Sequence, residues 1–154
     1  MKKLIVIFLL SIGIFILTGC SNIKYSRHDF KFDLKEDLDL TYPYAKLIRN
    51  IEELNEFLAD ESLFSEELSE EFQNFNTQFN EEFFKENDLI PIIYQTSSST
   101  KAIRIRRIIN DNSNLKIVLK MVAPKHARAD IYYFTFYLNV SKEEKIKSLN
   151  VTVK

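Results

Sequence analysis

No glycine follows Gly19 in this 154-residue chain. Both glycines, Gly13 and Gly19, precede the single cysteine, Cys20, so whatever folds beyond it lacks the one residue that takes positive φ without steric cost. Tight turns then fall to Asn and Asp, whose short side chains tolerate left-handed backbone. The same absence excludes several kinds of site. A phosphate-cradling P-loop, a dinucleotide fingerprint and a glycine-flanked nucleophile elbow all need glycine at fixed positions. A lone cysteine is as limiting: it forms no intrachain disulfide and no thiolate metal cluster, and the fold must hold by packing.

The residues before Cys20 form an address. Met1-Lys2-Lys3 is cationic, Leu4 to Leu17 is almost unbroken apolar chain, and the small residues Thr18 and Gly19 follow. The apolar run is shorter than the roughly 20 residues a helix needs to span a bilayer core. The order Leu17-Thr18-Gly19-Cys20 resembles the lipobox of bacterial lipoproteins. That resemblance implies cleavage after Gly19, lipid transfer to the Cys20 thiol and acylation of the new amino terminus, holding the protein on the extracytoplasmic face of an inner or outer membrane. An unmodified Cys20 behind an ordinary signal peptide or retained signal anchor is the alternative. The expected organisation is a leader over 1–19, a short tether over 20–29 and one domain over 30–154, a length that suits a single core.

Beyond the tether the periodicity changes twice. Phe30, Phe32, Leu34, Leu38, Leu40 and Tyr42 share one parity, which predicts a half-buried strand or strand pair. Asn50 stands three residues before Glu53 in capping-box fashion and predicts a helix over about residues 51 to 60. A second helix is expected from Ser65, with Leu68, Phe72, Phe75, Phe79 and Phe83 as a core stripe and Asn87 as its terminal cap. Leu89 to Tyr94 is apolar on both parities, the mark of a strand buried on both faces, with Pro91 placing it toward an edge or a strand start. Ala102 to Ile109 alternates until a slip at Arg106-Arg107, where a bulge resets the phase, and Asp111 to Asn114 is a glycine-free hairpin turn. Leu115, Ile117, Leu119 and Met121 form the next inner face. Tyr132, Phe134, Phe136, Leu138 and Val140 make the most apolar strand, and Leu149, Val151 and Val153 the last. The predicted class is α+β: an antiparallel sheet of about five to seven strands, curled or sandwich-like, carrying one or two acidic amphipathic helices.

Charge is segregated. Ile51 to Asp88 holds thirteen acidic residues and one base, Lys85, whereas Ser97 to Lys154 holds twelve bases and four acids. The near-neutral total excludes the overall field that grips nucleic acid. Arg104, Arg106, Lys125 and Arg128 are the candidate partner contacts, for anionic lipid, an envelope polymer or a protein; they fit equally the polar faces of antiparallel strands. Glu66-Glu67 with Glu70-Glu71 reads as a solvated helix face without the spacing of a calcium loop. His28 and His126 are too isolated for a local triad or a hydrolytic metal site, so no catalytic residue, metal or cofactor is expected. A surface-anchored hydrolase is the alternative to a binding module.

One further similarity bears on the carboxy-terminal half. Phe83 to Leu89, the cluster Ser97-Ser98-Ser99, the hairpin around Asp111, Pro124 and Asp130-Ile131-Tyr132 together resemble the small domain of PrcB-like lipoproteins, which accompany a secreted bacterial subtilisin-type protease as a complex subunit. The glycine common in that family's serine cluster and the tryptophan of its later strand are absent here. The resemblance implies a non-catalytic surface module that stabilises or presents a protease.

Overall fold

The computed structural model describes residues 23–36, 38–96, 102–123 and 131–154. Cys20, Ser97 to Ser99, Pro124, Lys125, His126, Arg128 and Asp130 lie outside them. The elements run β1 (Tyr25–Asp29), β2 (Tyr44–Ala45), α1 (Ile51–Leu58), α2 (Glu70–Asn76), α3 (Glu81–Glu86), β3 (Asn87–Thr96), β4 (Ala102–Asp111), β5 (Asn114–Val122), β6 (Tyr132–Ser141), a 3₁₀ turn (Lys142–Glu144) and β7 (Ser148–Val153). The class is α+β, with seven strands in two sheets among the described residues. One sheet is antiparallel in the order β1-β6-β3-β2; the other is mixed, β4-β5-β7.

The expectation of antiparallel pairing throughout is corrected in the second sheet. β5 and β7 pair parallel, Asn114 opposite Ser148 through Leu119 opposite Val153. A parallel pair needs a long crossover, and here β6 and the 3₁₀ turn supply it by passing through the other sheet.

Tyr25–Asp29, expected to be part of a tether, is a strand on β6, Tyr25 opposite Val140 and Asp29 opposite Phe136. The described residues between Phe30 and Tyr42, by contrast, form no ladder. Their bonds are individual: Phe32 N–H donates to Thr135 Oγ1 at 3.1 Å, Lys35 N–H to Leu63 O at 3.0 Å, and Ser65 N–H to Asp33 O at 3.2 Å. The alternation still governs burial, with Phe32 inside and Lys31 and Lys35 outside.

α1 begins where the sequence places it. Asn50 Oδ1 accepts from Glu53 N–H at 2.8 Å, and the Glu53 carboxylate reaches back to Arg49 N–H at 2.8 Å. The long second helix is instead two short ones, each with its own cap: Ser69 Oγ accepts from Phe72 N–H and Asn80 Oδ1 from Phe83 N–H. Where they meet, the side chains of Asn76, Thr77 and Gln78 donate to the backbone carbonyls of Phe72, Asn74 and Phe75, the local competition that ends helices. Glu66 and Glu67 therefore lie ahead of α2 and share no helix face with Glu70 and Glu71. Asn87 closes α3, its Nδ2 donating to Phe83 O at 3.2 Å.

β3 and β6 are the spine. Leu89, Ile93 and Tyr137 point to one apolar cluster with the helices, Ile90, Ile92, Phe136, Leu138 and Val140 to another with β4, β5 and β7. Pro91 sits mid-strand in an interior position. Its carbonyl accepts from Lys46 N–H at 3.4 Å, so its donor-free nitrogen faces the short β2 side and the β6 ladder loses nothing. The phase slip in β4 is a bulge between Ile105 and Arg107, and the hairpin turn places Asn112 at φ 52° and Ser113 at φ 69° without glycine. Met121 departs from its expected inner face and is exposed.

Candidate functional site

The outer face of β4, β5 and β7 is built by alternation against a buried one. Ile103, Leu115, Ile117 and Leu119 are inside, so Arg104, Lys116, Val118 and Lys120 project outward. The bulge adds to this set. By inserting one residue it leaves Arg106 and Arg107, consecutive in the chain, both exposed, where an unbroken strand would send one of them inward. Arg106, Arg107, Val118 and Lys154 line a shallow cleft of about 310 Å³ on this face.

Two features separate this face from an ordinary solvated one. Arg104 lies directly opposite Lys120 in the β4–β5 register, and like charges so placed destabilise a ladder. Among the described residues, Arg104, Arg106, Arg107, Lys120 and Lys154 make no ion pair, while neighbouring Lys116 does, with Asp111 at 2.6 Å. The acidic helices α1 to α3 lie on the far side, covering the opposite face of the β3–β6 spine. A cleft of about 580 Å³ lies in that layer and is lined by, among others, Asp60, Glu61, Glu66 and Glu67. Of the four residues picked from sequence, the structure brings Arg104 and Arg106 onto one face, and Lys125 and Arg128 belong to the undescribed β5–β6 connection. Lys120 and Lys154 were missed because their register with β4 is not readable from spacing.

His28 is not the loop residue the sequence implied. It is half-buried on β1, edge-on to Phe79, with Nε2 2.9 Å from Asn139 Nδ2 and 3.3 Å from Ser26 Oγ. Both contacts meet the same ring nitrogen. A relay needs the orienting group on the nitrogen remote from the hydroxyl, so this trio lacks the triad arrangement.

Two buried polar groups complete the electrostatics. Tyr137 is fully buried, and burial pushes its phenol far above the ordinary tyrosine range; its hydroxyl donates to Asn76 Oδ1 at 2.8 Å. Asp88, 4% exposed, has an Oδ1 with no hydrogen-bond partner. Burial raises its carboxyl above the usual range, Lys142 and then Arg49 pull it back, and Glu53 adds to the rise. On the opposite edge of the spine Arg27 closes the gap between the sheets, its guanidinium 4.1 Å from the Phe136 ring centroid and donating to Ile103 O at 2.6 Å.

Among the described residues no helix is long and apolar enough to cross a membrane, and no group of three or more His, Cys, Asp or Glu is gathered as a metal ion would require. Compared with known protein families, with curated proteins and with solved structures, the chain finds no match.

Proposed function

We propose that the protein is a bacterial envelope lipoprotein, anchored through Cys20, whose domain is a non-catalytic binding module or protease-complex subunit that holds an acidic partner on the outer face of β4, β5 and β7. In this reading the two sheets act as a sandwich whose outer layer carries recognition. The observation that supports it is the cationic face itself: Arg104, Arg106, Arg107, Lys120 and Lys154 stand together without an ion pair among the described residues, at the cost of a like-charge cross-strand pair. A face tolerating such repulsion gains when an anionic surface covers it, and complementarity of this kind chiefly sets encounter rate and selectivity. The similarity to PrcB-like subunits makes a secreted protease the first partner to look for.

The test is crosslinking and capture from intact membranes with the lipidated protein as bait. Reversal of Arg104, Arg106 and Arg107 to Glu is expected to abolish capture of the partner that the wild-type protein takes, and raised salt to weaken the wild-type complex. Capture undiminished by the triple reversal would refute the cationic face as the contact. Cys20→Ala tests the anchor separately, because it should lose metabolic acyl labelling and membrane flotation together.

A further inference from the structure

The end of the domain nearest Cys20 is fixed by the fold. Ile23 is buried in the cluster between the sheets, Lys24 O accepts from Ser141 N–H, and Tyr25 pairs with Val140. Three residue steps separate Cys20 from Ile23, a reach of roughly 11 Å at full extension. A lipid on Cys20 therefore brings to the bilayer the end where β6 finishes and β7 starts, and leaves the domain little freedom to turn another side toward it.

That end carries a rim of lysines. Lys24, Lys145 and Lys147 are exposed, and Lys142 beside them is half-buried with Nζ donating to Arg49 O at 2.9 Å. Lys145 takes left-handed backbone, φ 49°, directly after the 3₁₀ turn, and Lys147 N–H is tied to Ser113 O at 2.7 Å, so the segment is held against the β4–β5 hairpin. Of the nearby carboxylates, Asp111 is paired with Lys116, Glu144 is engaged by Asn110 and Asp88 is buried facing Lys142, while Glu143 and Glu86 are exposed, as are Glu52 and Glu81 beside Lys142.

We infer that this lysine rim seats the domain on anionic lipid headgroups. The inference rests on the anchored reading above. The distance decides it: a tether of at most roughly 11 Å lets the lysines approach the headgroup layer to within the Debye length of about 8 Å in physiological salt, where their attraction is not screened away, and keeps the domain from drifting far beyond it. The acyl chains supply retention and the lysines supply orientation. β6 then leads away from the bilayer, and its ten residues lift the Tyr132 end about 30 Å above the rim.

The experiment uses the full lipidated protein in vesicles, with a donor dye on Ile131→Cys, an exposed position beside the start of β6, and an acceptor in the headgroup layer. Energy transfer is expected to be about twofold lower in phosphatidylglycerol-containing vesicles than in pure phosphatidylcholine, because a seated domain holds its far end up. High salt or the triple substitution K24Q/K145Q/K147Q should remove that difference, and R106Q/R107Q should leave it intact. Equal transfer in both lipids, or a lysine variant that behaves as wild type, would overturn the inference while flotation with the vesicles still upheld the anchor. Loss of flotation itself would overturn both.

Discussion

The two apolar clusters on either side of the β3–β6 spine are made of different material. On the helical side the buried residues are mostly rings: Phe32, Phe57, Phe64, Phe72, Phe79, Phe84 and Tyr137. Between the sheets they are aliphatic, Ile90, Ile92, Ile103, Leu115, Ile117, Leu119, Leu138 and Val140, with Phe136 the one fully buried ring. The difference follows from what roofs each cluster. Two regular ladders present side chains at fixed spacing, where β-branched and aliphatic residues interlock. The helices run only six to eight residues, too short to stand alone, and irregular chain lies between them. Large rings fill such uneven space and meet each other as well as the sheet, as Phe30 does on Phe75 at 4.0 Å and Phe32 on Tyr137 at 4.7 Å. An irregular layer is thus stabilised by side-chain size, a regular one by repetition.

The strongest attempt to break this comparison is one ring removed from each side. Phe72→Ala and Phe136→Ala should each cost about 3 to 5 kcal/mol, as full burial without room to collapse dictates. Because β3 and β6 serve both clusters, denaturation followed by aromatic fluorescence and by far-ultraviolet dichroism should give one shared transition for either variant. A separate early loss of the fluorescence signal in Phe72→Ala alone would divide the molecule into two units.

Next in size is the polar link that crosses the ring cluster. Tyr137→Phe removes the donor to Asn76 Oδ1 and leaves that buried oxygen unpaired, a loss of about 1 to 3 kcal/mol measurable as a lower denaturant midpoint. Smaller still, and opposite in sign, are two backbone tests. Asn80→Ala strips the α3 cap from the irregular layer and should cost about 1 kcal/mol. Ser113→Gly relieves left-handed backbone in the regular layer and should add up to about 1 kcal/mol.

The finest distinction is in pH. Asp88 has a folded-state pKa above its unfolded one, so the native state holds the extra proton between the ordinary carboxylate value near 3.9 and the raised one. Its contribution favours folding at the acid end and fades as pH rises through that window. Asp88→Asn should flatten this limb of the stability profile, and equal slopes for variant and wild type would remove Asp88 as its source.

Legibility in the sequence divided along the same line as the two clusters. The bulge at Arg106-Arg107, the Asp111 to Asn114 hairpin and the two-sided burial of Leu89 to Tyr94 could be read because period-two alternation and its failures report strand faces directly. Alternation over Phe30 to Tyr42 reported which side chains turn inward and nothing about pairing, since a lone extended chain satisfied by Thr135, Leu63 and Ser65 has the same pattern. β1 was hidden by the opposite effect: Tyr-Ser-Arg-His-Asp is polar because an edge strand buries little, and its partner is far away in the chain. The aromatic stripe from Phe72 to Phe83 was correctly a core stripe, yet its regular spacing concealed the break that Ser69 and Asn80 impose by capping. For the cationic face, composition marked Arg104 and Arg106, and only strand register could add Lys120 and Lys154.

The pairing of β1 with β6 also sets an order of events. His28 reaches Asn139 across 111 residues, and every backbone partner of Tyr25–Asp29 belongs to β6. As the chain emerges from its amino end, β1 comes early and its template comes late, after β3, β4 and β5. Closing so long a loop is entropically costly and slows folding of proteins rich in distant contacts. A newly made chain thus passes through an interval in which β1 is extended, polar and unpaired, and its sheet is completed only when the penultimate strand arrives.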